Sequence, residues 1–339
     1  MNNEEMSTAI ILNGHGDPEV LTSSQINIPI PRPDEIRIRV AAAGVNGPDI
    51  LQRKGLYAPT PENVLRPGLE VSGCVDAVGD RVLDWSMGDK IVALCNGGGY
   101  ADYVCAPQGQ ALPLPKNWSF LEGASLPETF FTIQQTLLDR SGLTSGMSVL
   151  VHGASGGIGA TAIQLAKVKG ATVFAAVSSM IKAKYVLSLG ADHLITYPEE
   201  DFVEHVLELT GGRGVDRIVD VVGADYLSRN IRAAAQGAVI VQLAFLGGAK
   251  AHINLAPMML KNLTLIGSVL GPQPACVKQN IATNLRREIW SALNDGRVKP
   301  QYIRAFALSD AARAHRAFQS ANHYGKIVLV TAFGETFAA

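Results

Sequence analysis

A chain of 339 residues is long enough for about two domains. With 47% hydrophobic and 17% charged residues, it has the composition of a globular protein with a sizeable core. A net charge of -1 gives no electrostatic reason to bind nucleic acid or an anionic membrane, and the basic group Arg286-Arg287, Arg297, Lys299 and Arg304, interrupted by Glu288 and Asp295, reads as a solvated face.

The start, MNNEEMSTAI, has neither a positive n-region nor an apolar h-region, so no signal peptide is expected. No apolar run has the length of a bilayer span. Cys74, Cys95, Cys105 and Cys276 form no C-x-x-C pair, which fits reduced thiols and a cytoplasmic location. From Glu35 to Val40 polar and apolar residues alternate, the period of a half-buried strand. Gly73–Gly79 and Lys90–Leu94 are further short strands, and Pro29, Pro31, Pro33, Pro59, Pro61 and Pro67 break any long helix. A β-rich domain to about residue 120 follows.

From Glu122 strand-like and helix-like runs alternate: Ser148–His152 then Gly159–Lys169, Thr172–Val177 then Lys182–Leu189, Arg217–Val222 then Tyr226–Ala235. Strands at Ala238–Leu243 and Leu263–Ser268 close the series. This order predicts a doubly wound parallel sheet, so the fold class is α/β. A long helix over Val277–Asn294 and a last strand, Lys326–Val330, remain.

The glycine cluster lies in the first strand–helix turn, VHGASGGIG, Val151–Gly159. Ala154–Gly159 approximates G-x-G-x-x-G, with alanine at the first glycine. Small residues there let the backbone approach a pyrophosphate, and the helix N-terminus offers N–H groups and a positive dipole end. Gly153–Gly157 also fits the G-x-S-x-G elbow of α/β-hydrolases, with Asp220 and His315 later in the chain as partners for Ser155. A purely structural turn is a third possibility. An NAD site usually carries an acid ~20 residues on, at the end of the second strand. Here that strand ends Ala176-Val177-Ser178-Ser179-Met180, with Lys182 behind it, a composition that suits the 2′-phosphate of NADPH.

Several segments together carry a family likeness: AAAGVNGPDILQRKGLY (Ala41–Tyr57), PGLEVSG (Pro67–Gly73), GGGYADYV (Gly97–Val104), SLPETFFT (Ser125–Thr132), VHGASGGIG and HYGKIVLV (His323–Val330). Over nearly its full length the chain resembles the medium-chain dehydrogenase/reductase superfamily, in its zinc-free quinone oxidoreductase branch (ζ-crystallin-like, nearest the p53-inducible type). The resemblance implies a GroES-like catalytic domain, residues 1–123 and 272–339, and an inserted Rossmann domain, 124–271, with ligands in the cleft between them. Zinc-dependent relatives carry Cys at the place of Asn46 and Gly-His-Glu at that of Gly68-Leu69-Glu70, and neither amide nor leucine replaces those ligands, so no metal is expected.

By the same resemblance, Ser155, Gly156, Gly157 and Ile158 would surround the pyrophosphate. Ser178, Lys182 and Tyr197 would hold the 2′-phosphate, and Phe245, Leu246, Gly267 and Ser268 would border the ribose and nicotinamide. Asn46, Tyr57 and Thr132 would face the nicotinamide and the acceptor. Bland alternatives are a turn role for Asn46, a helix-surface role for Lys182, a loop role for Tyr197, and core positions for Phe245 and Leu246. The chain departs from the family pattern at Gly271, where an arginine is common, and at Gln134-Gln135. The implied activity is NADPH-dependent reduction of a quinone, with an enoyl or alkenal reductase and an idle NADPH-binding redox sensor as alternatives. A homodimer paired through Leu263–Ser268 is the implied assembly.

Overall fold

Alternating residues of the first part of the chain pair into antiparallel sheets, and the later strand–helix runs build a parallel one. In the computed structural model, residues 6–197, 199–320 and 323–337 are described. Residues 1–5, on which part of the signal-peptide reading rests, lie outside them, as do 198, 321–322 and 338–339. The chain divides into two compact units, Met1–Phe131 with Gly271–Asn294 and Pro300–Ala339, and Thr132–Leu270 with Asp295–Lys299. No helix among the described residues is long and apolar enough to cross a membrane, and all four cysteines are free.

In the first unit, β1 (Met6–Leu12) and β2 (Leu21–Asn27) form a hairpin. The main sheet comprises β3 (Glu35–Val45), β4 (Glu70–Val78), β5 (Lys90–Leu94), β6 (Tyr103–Pro107) and β7 (Ala111–Pro113). It is completed by two strands from the C-terminal part of the chain, Ile303–Ala307 and Lys326–Val330. The period-two pattern of β3 puts Ile36, Ile38 and Val40 into the core, where they meet Val71, Val75, Ile91 and Val104. On the other face Arg37 pairs with Asp76 of β4 at 2.6 Å. The strand Lys326–Val330 is buried at every position and runs antiparallel to β3, with Ile327 opposite Val45. That register sets Lys326 beside the end of β3, where Asn46 follows.

The second unit is one parallel sheet. Its strands are β8 (Ser148–Val151), β9 (Thr172–Val177), β10 (His193–Thr196), β11 (Val215–Asp220), β12 (Ala234–Gln242) and β13 (Thr264–Gly267), in the order β10-β9-β8-β11-β12-β13. Taken in chain order this is 3-2-1-4-5-6, the doubly wound arrangement that reverses direction beside its first strand. Leu150, Phe174, Ile195, Ile218 and Ile240 form its core. These continuous apolar strands need cover on both faces, and helices such as Gly157–Val168 and Met180–Ser188 lie between successive strands.

The boundaries differ from expectation in physically simple ways. Residues 124–131 cluster with the first unit, since Ala124 packs on Ala42 and Val328 and Glu128 N–H donates to Glu70 Oε2 at 2.8 Å. The single helix expected over Val277–Asn294 is two, Ala275–Glu288 and Trp290–Asn294, broken where Ile289 turns to φ -118°. β10 and the helix Phe202–Leu209 were not visible in the hydrophobic pattern.

Candidate functional site

In the second unit the carboxyl ends of the parallel strands carry most of the expected cofactor residues. β8 ends at Val151, and the loop enters the helix Gly157–Val168 with Gly156 as its N-cap. Gly156 supplies no capping side chain, and a Cβ there would meet only Gly153 O, at 3.5 Å. Gly159 is different: its Cβ would lie 2.5 Å from Ala154 Cα, so the helix approaches the loop as closely as only glycine allows. Ser155 is buried. The residues present therefore fit a phosphate at this helix terminus, with the space above Gly156 open to it.

At the end of β9, Lys182 Nζ donates to Ser178 Oγ at 3.0 Å, while Ser179 caps the helix Met180–Ser188. Tyr197, just after β10, hydrogen-bonds Ser178, and burial pushes its phenol pKa up. The three residues thus meet at one point. Of the two acids that follow them in the chain, Glu199 and Glu200, the second is engaged by Thr196 N–H and Oγ, at 2.6 and 2.9 Å.

A cavity of about 300 Å³ opens past the ends of β12 and β13, lined by Gln242, Leu243, Phe245, Gly267, Ser268 and Val269. Phe245 and Leu246 are 57% and 81% exposed, which overturns the reading of them as core. Nothing lies within 4 Å of where a Gly267 Cβ would be. Ser268 Oγ donates to Gln135 Oε1 at 3.2 Å, so the Gln134-Gln135 departure reaches this cavity. Gln135 belongs to a π-helical stretch, Gln134–Arg140, where Ser141 N–H bonds back to Thr136 O. Thr132, half-buried, lies in the preceding helix, Pro127–Ile133, its carbonyl accepting from Thr136 Oγ at 2.6 Å.

In the first unit, Asn46 is the N-cap of Gly47–Arg53, and its N–H donates to Asp49 Oδ2 at 2.8 Å. The capping role is real, and its side chain has a second one. Nδ2 donates to Glu70 Oε1 at 2.8 Å, and Oδ1 accepts from Lys326 Nζ at 2.6 Å. Lys326 Nζ also pairs with Glu70 Oε1 at 2.5 Å, with side-chain exposures of 3% and 0%. Around this pair sit two more buried acids. Burial pushes Asp49 up to about 7, against hydrogen bonds from Asn46 and Gly68. Burial also pushes Glu128 up to about 8, helped by the charges of Glu70 and Asp49.

Zinc does not fit this donor set. Leu69 offers no ligand, Asn46 Oδ1 and Glu70 Oε1 both face an ammonium, and no group of three His, Cys, Asp or Glu among the described residues could hold a metal. The hydrolase reading also fails, because its acid and histidine are committed elsewhere. Asp220 takes Val222 N–H, Gly223 N–H and Asn230 Nδ2, while buried His315 faces Tyr100 Oη at 3.2 Å.

Residues 32–116 match the alcohol dehydrogenase GroES-like domain family, and 157–285 match the family described as zinc-binding dehydrogenase. The quinone oxidoreductase of Rattus norvegicus is 30% identical over 330 residues, covering 96% of this chain and 98% of that protein. This chain belongs to the quinone oxidoreductase family of the medium-chain dehydrogenases/reductases. The crystal structure of Escherichia coli quinone oxidoreductase complexed with NADPH has a TM-score of 0.84 at 30% identity, covering 95% of this chain and 99% of that one. That of CurK enoyl reductase has 0.84 at 27%, covering 96% and 100%. The quinone oxidoreductase family is thus the frame for the buried charges that motif reading missed: Glu70, Glu128, Lys278 and Lys326. Glu70, Glu128 and Lys326 lie inside the segments that carry the family likeness, and that was their only signal; Lys278 had none.

A carboxyl whose pKa rises on folding keeps its proton in the folded chain where the unfolded chain has lost it. It favours folding at low pH, and that contribution is lost as pH climbs from the unfolded value to the folded one. For Glu128 the window runs from 4.5 to about 8. Melting temperatures across this range should fall less steeply for Glu128→Gln than for the wild type. Parallel slopes would mean that Glu128 ionises as an ordinary carboxyl.

Proposed function

We propose that this quinone oxidoreductase family member reduces quinones with hydride from NADPH and needs no zinc. The observation that carries the cofactor choice is the Lys182–Ser178 contact, with Tyr197 on the same serine, at the point where an NAD site places an acid. A lysine ammonium, a hydroxyl and a phenol can each donate to a 2′-phosphate. Ser155, Gly156, Gly157 and Ile158 would hold the pyrophosphate, and Phe245, Leu246, Gly267 and Ser268 would border the ribose and nicotinamide. When bound, NADPH supplies the hydride. The chain's part is to orient the acceptor and donate hydrogen bonds as charge develops on its oxygen.

Asn46, Tyr57 and Thr132 are the proposed acceptor-facing residues. Asn46 has given its Oδ1 to Lys326 and one Nδ2 hydrogen to Glu70, so the second Nδ2 hydrogen is what it can offer. The likeness to an enoyl reductase favours one second reading, in which the acceptor is an enone. Comparing kcat/KM for a quinone and an enone with NADPH separates the two, and NADPH binding without turnover of either would identify an idle sensor. Lys182→Ala is expected to raise Kd for NADPH at least tenfold while changing that for NADH less than twofold, measured by calorimetry. Equal losses would remove Lys182 from the 2′-phosphate site.

The proposal extends to a homodimer. β13 is the edge of the parallel sheet, Leu265 on it is 41% exposed, and Leu255, Met259 and Leu260 beside it in the chain are each more than 60% exposed. Pairing two such edges would cover them. Sedimentation at micromolar concentration should give a dimer that Leu265→Arg dissociates; a wild-type monomer would rule this assembly out.

A further inference from the structure

Gly271 is the point where the chain drops the family's frequent arginine. Its φ is not positive, so the backbone itself makes no demand for glycine. Tyr57 makes that demand. A Cβ on residue 271 would lie 1.7 Å from Tyr57 Oη and 2.9 Å from Cζ. The phenol therefore rests against bare main chain. That stretch of main chain is itself fixed, because Lys278 Nζ donates to Gly271 O at 2.7 Å and to Asn96 Oδ1 at 2.8 Å.

Tyr57 is half-buried, yet its hydroxyl has no hydrogen-bond partner among the described residues. Burial, with the charges of Glu128 and Asp49, pushes its pKa well up, so the phenol keeps its proton and remains a donor at neutral pH. An unpaired donor resting against fixed main chain is what a developing oxyanion requires.

We infer that Gly271 is a specificity-determining position: by leaving room for the Tyr57 hydroxyl it fixes the donor that meets the carbonyl oxygen of the acceptor. The inference rests on the proposed quinone reduction and deepens it, since it selects acceptors whose reduction puts negative charge on oxygen. Tyr57 donates a hydrogen bond and keeps its proton; solvent supplies the proton that completes the hydroquinone. Gly271 acts only through Tyr57 and is a positioning residue.

The test compares Tyr57→Phe, Gly271→Ala and the double variant, using a naphthoquinone with NADPH. Losing the hydroxyl should lower kcat/KM by about 100-fold. Gly271→Ala should cost about as much, because Oη must withdraw by about 1.7 Å to regain a contact of 3.4 Å. Tyr57 can swing aside, so the variant should fold with an unchanged melting temperature and NADPH Kd. The double variant should be no slower than Tyr57→Phe, since phenylalanine lacks the atom that collides. A Gly271→Ala enzyme at the wild-type rate, a wild-type rate for Tyr57→Phe, or losses that multiply in the double variant would each overturn the inference. Fluorine NMR of protein labelled with fluorotyrosine gives a readout independent of turnover. The resonance missing in Tyr57→Phe should shift in Gly271→Ala, and an unmoved resonance overturns the steric claim. If that resonance shifts but the wild type consumes no NADPH with any quinone, the quinone reading fails and the steric relation between Gly271 and Tyr57 stands.

Discussion

A buried ammonium organises the first unit of this molecule. Lys326 and Glu70 are 256 residues apart in sequence and in contact in the fold, and Asn46 lies against both. Taking two charges out of water is costly, and the cost is offset only when geometry and further hydrogen bonds are good. Here Glu70 Oε1 accepts from both Lys326 and Asn46, and Oε2 accepts from Glu128 N–H. Removing one partner of such a pair typically costs about 3–5 kcal/mol, because the other charge stays buried and alone. One pair thus fastens the returning C-terminal strand to β3 and β4, fixes the Asn46 amide, and anchors the start of the segment that carries Glu128.

The same interaction explains the electrostatic character of the site. An ammonium stands among Asn46 and Glu70, so the local positive charge comes from the chain. Asp49 and Glu128 feel Glu70 as a like charge and, with burial, keep their protons to unusually high pH. Tyr57, its pKa raised by burial and by the charges of these acids, stays a neutral donor. In the parallel unit the β8 turn would cradle a phosphate, the β9 and β10 ends gather Ser178, Lys182 and Tyr197, and the β12 and β13 ends border the cavity.

Much of the parallel unit could be read from sequence because its signals are local. Thr172–Val177 and Lys326–Val330 are apolar runs long enough to mark strands to the residue. His193–Thr196 is four residues long and half-exposed, and left no such mark. Ser178 and Lys182 were visible as a missing acid, whereas Tyr197 needed the family likeness, since only the fold brings β10 beside β9. The buried charges were hidden for a different reason. Glu70, Glu128, Lys278 and Lys326 have the residue types of a surface, and their burial depends on contacts between distant segments. Gly271 looked like an unexplained departure until Tyr57 was seen to occupy the space of its missing side chain.

We propose that this site works with an ammonium of its own in place of a metal. Zinc content and quinone-dependent NADPH oxidation, measured on one sample before and after dialysis against a chelator, test it most directly. The account predicts an unchanged rate with less than about 0.1 zinc per chain, well short of a filled site. A rate that falls as zinc is removed and returns when it is restored would contradict it.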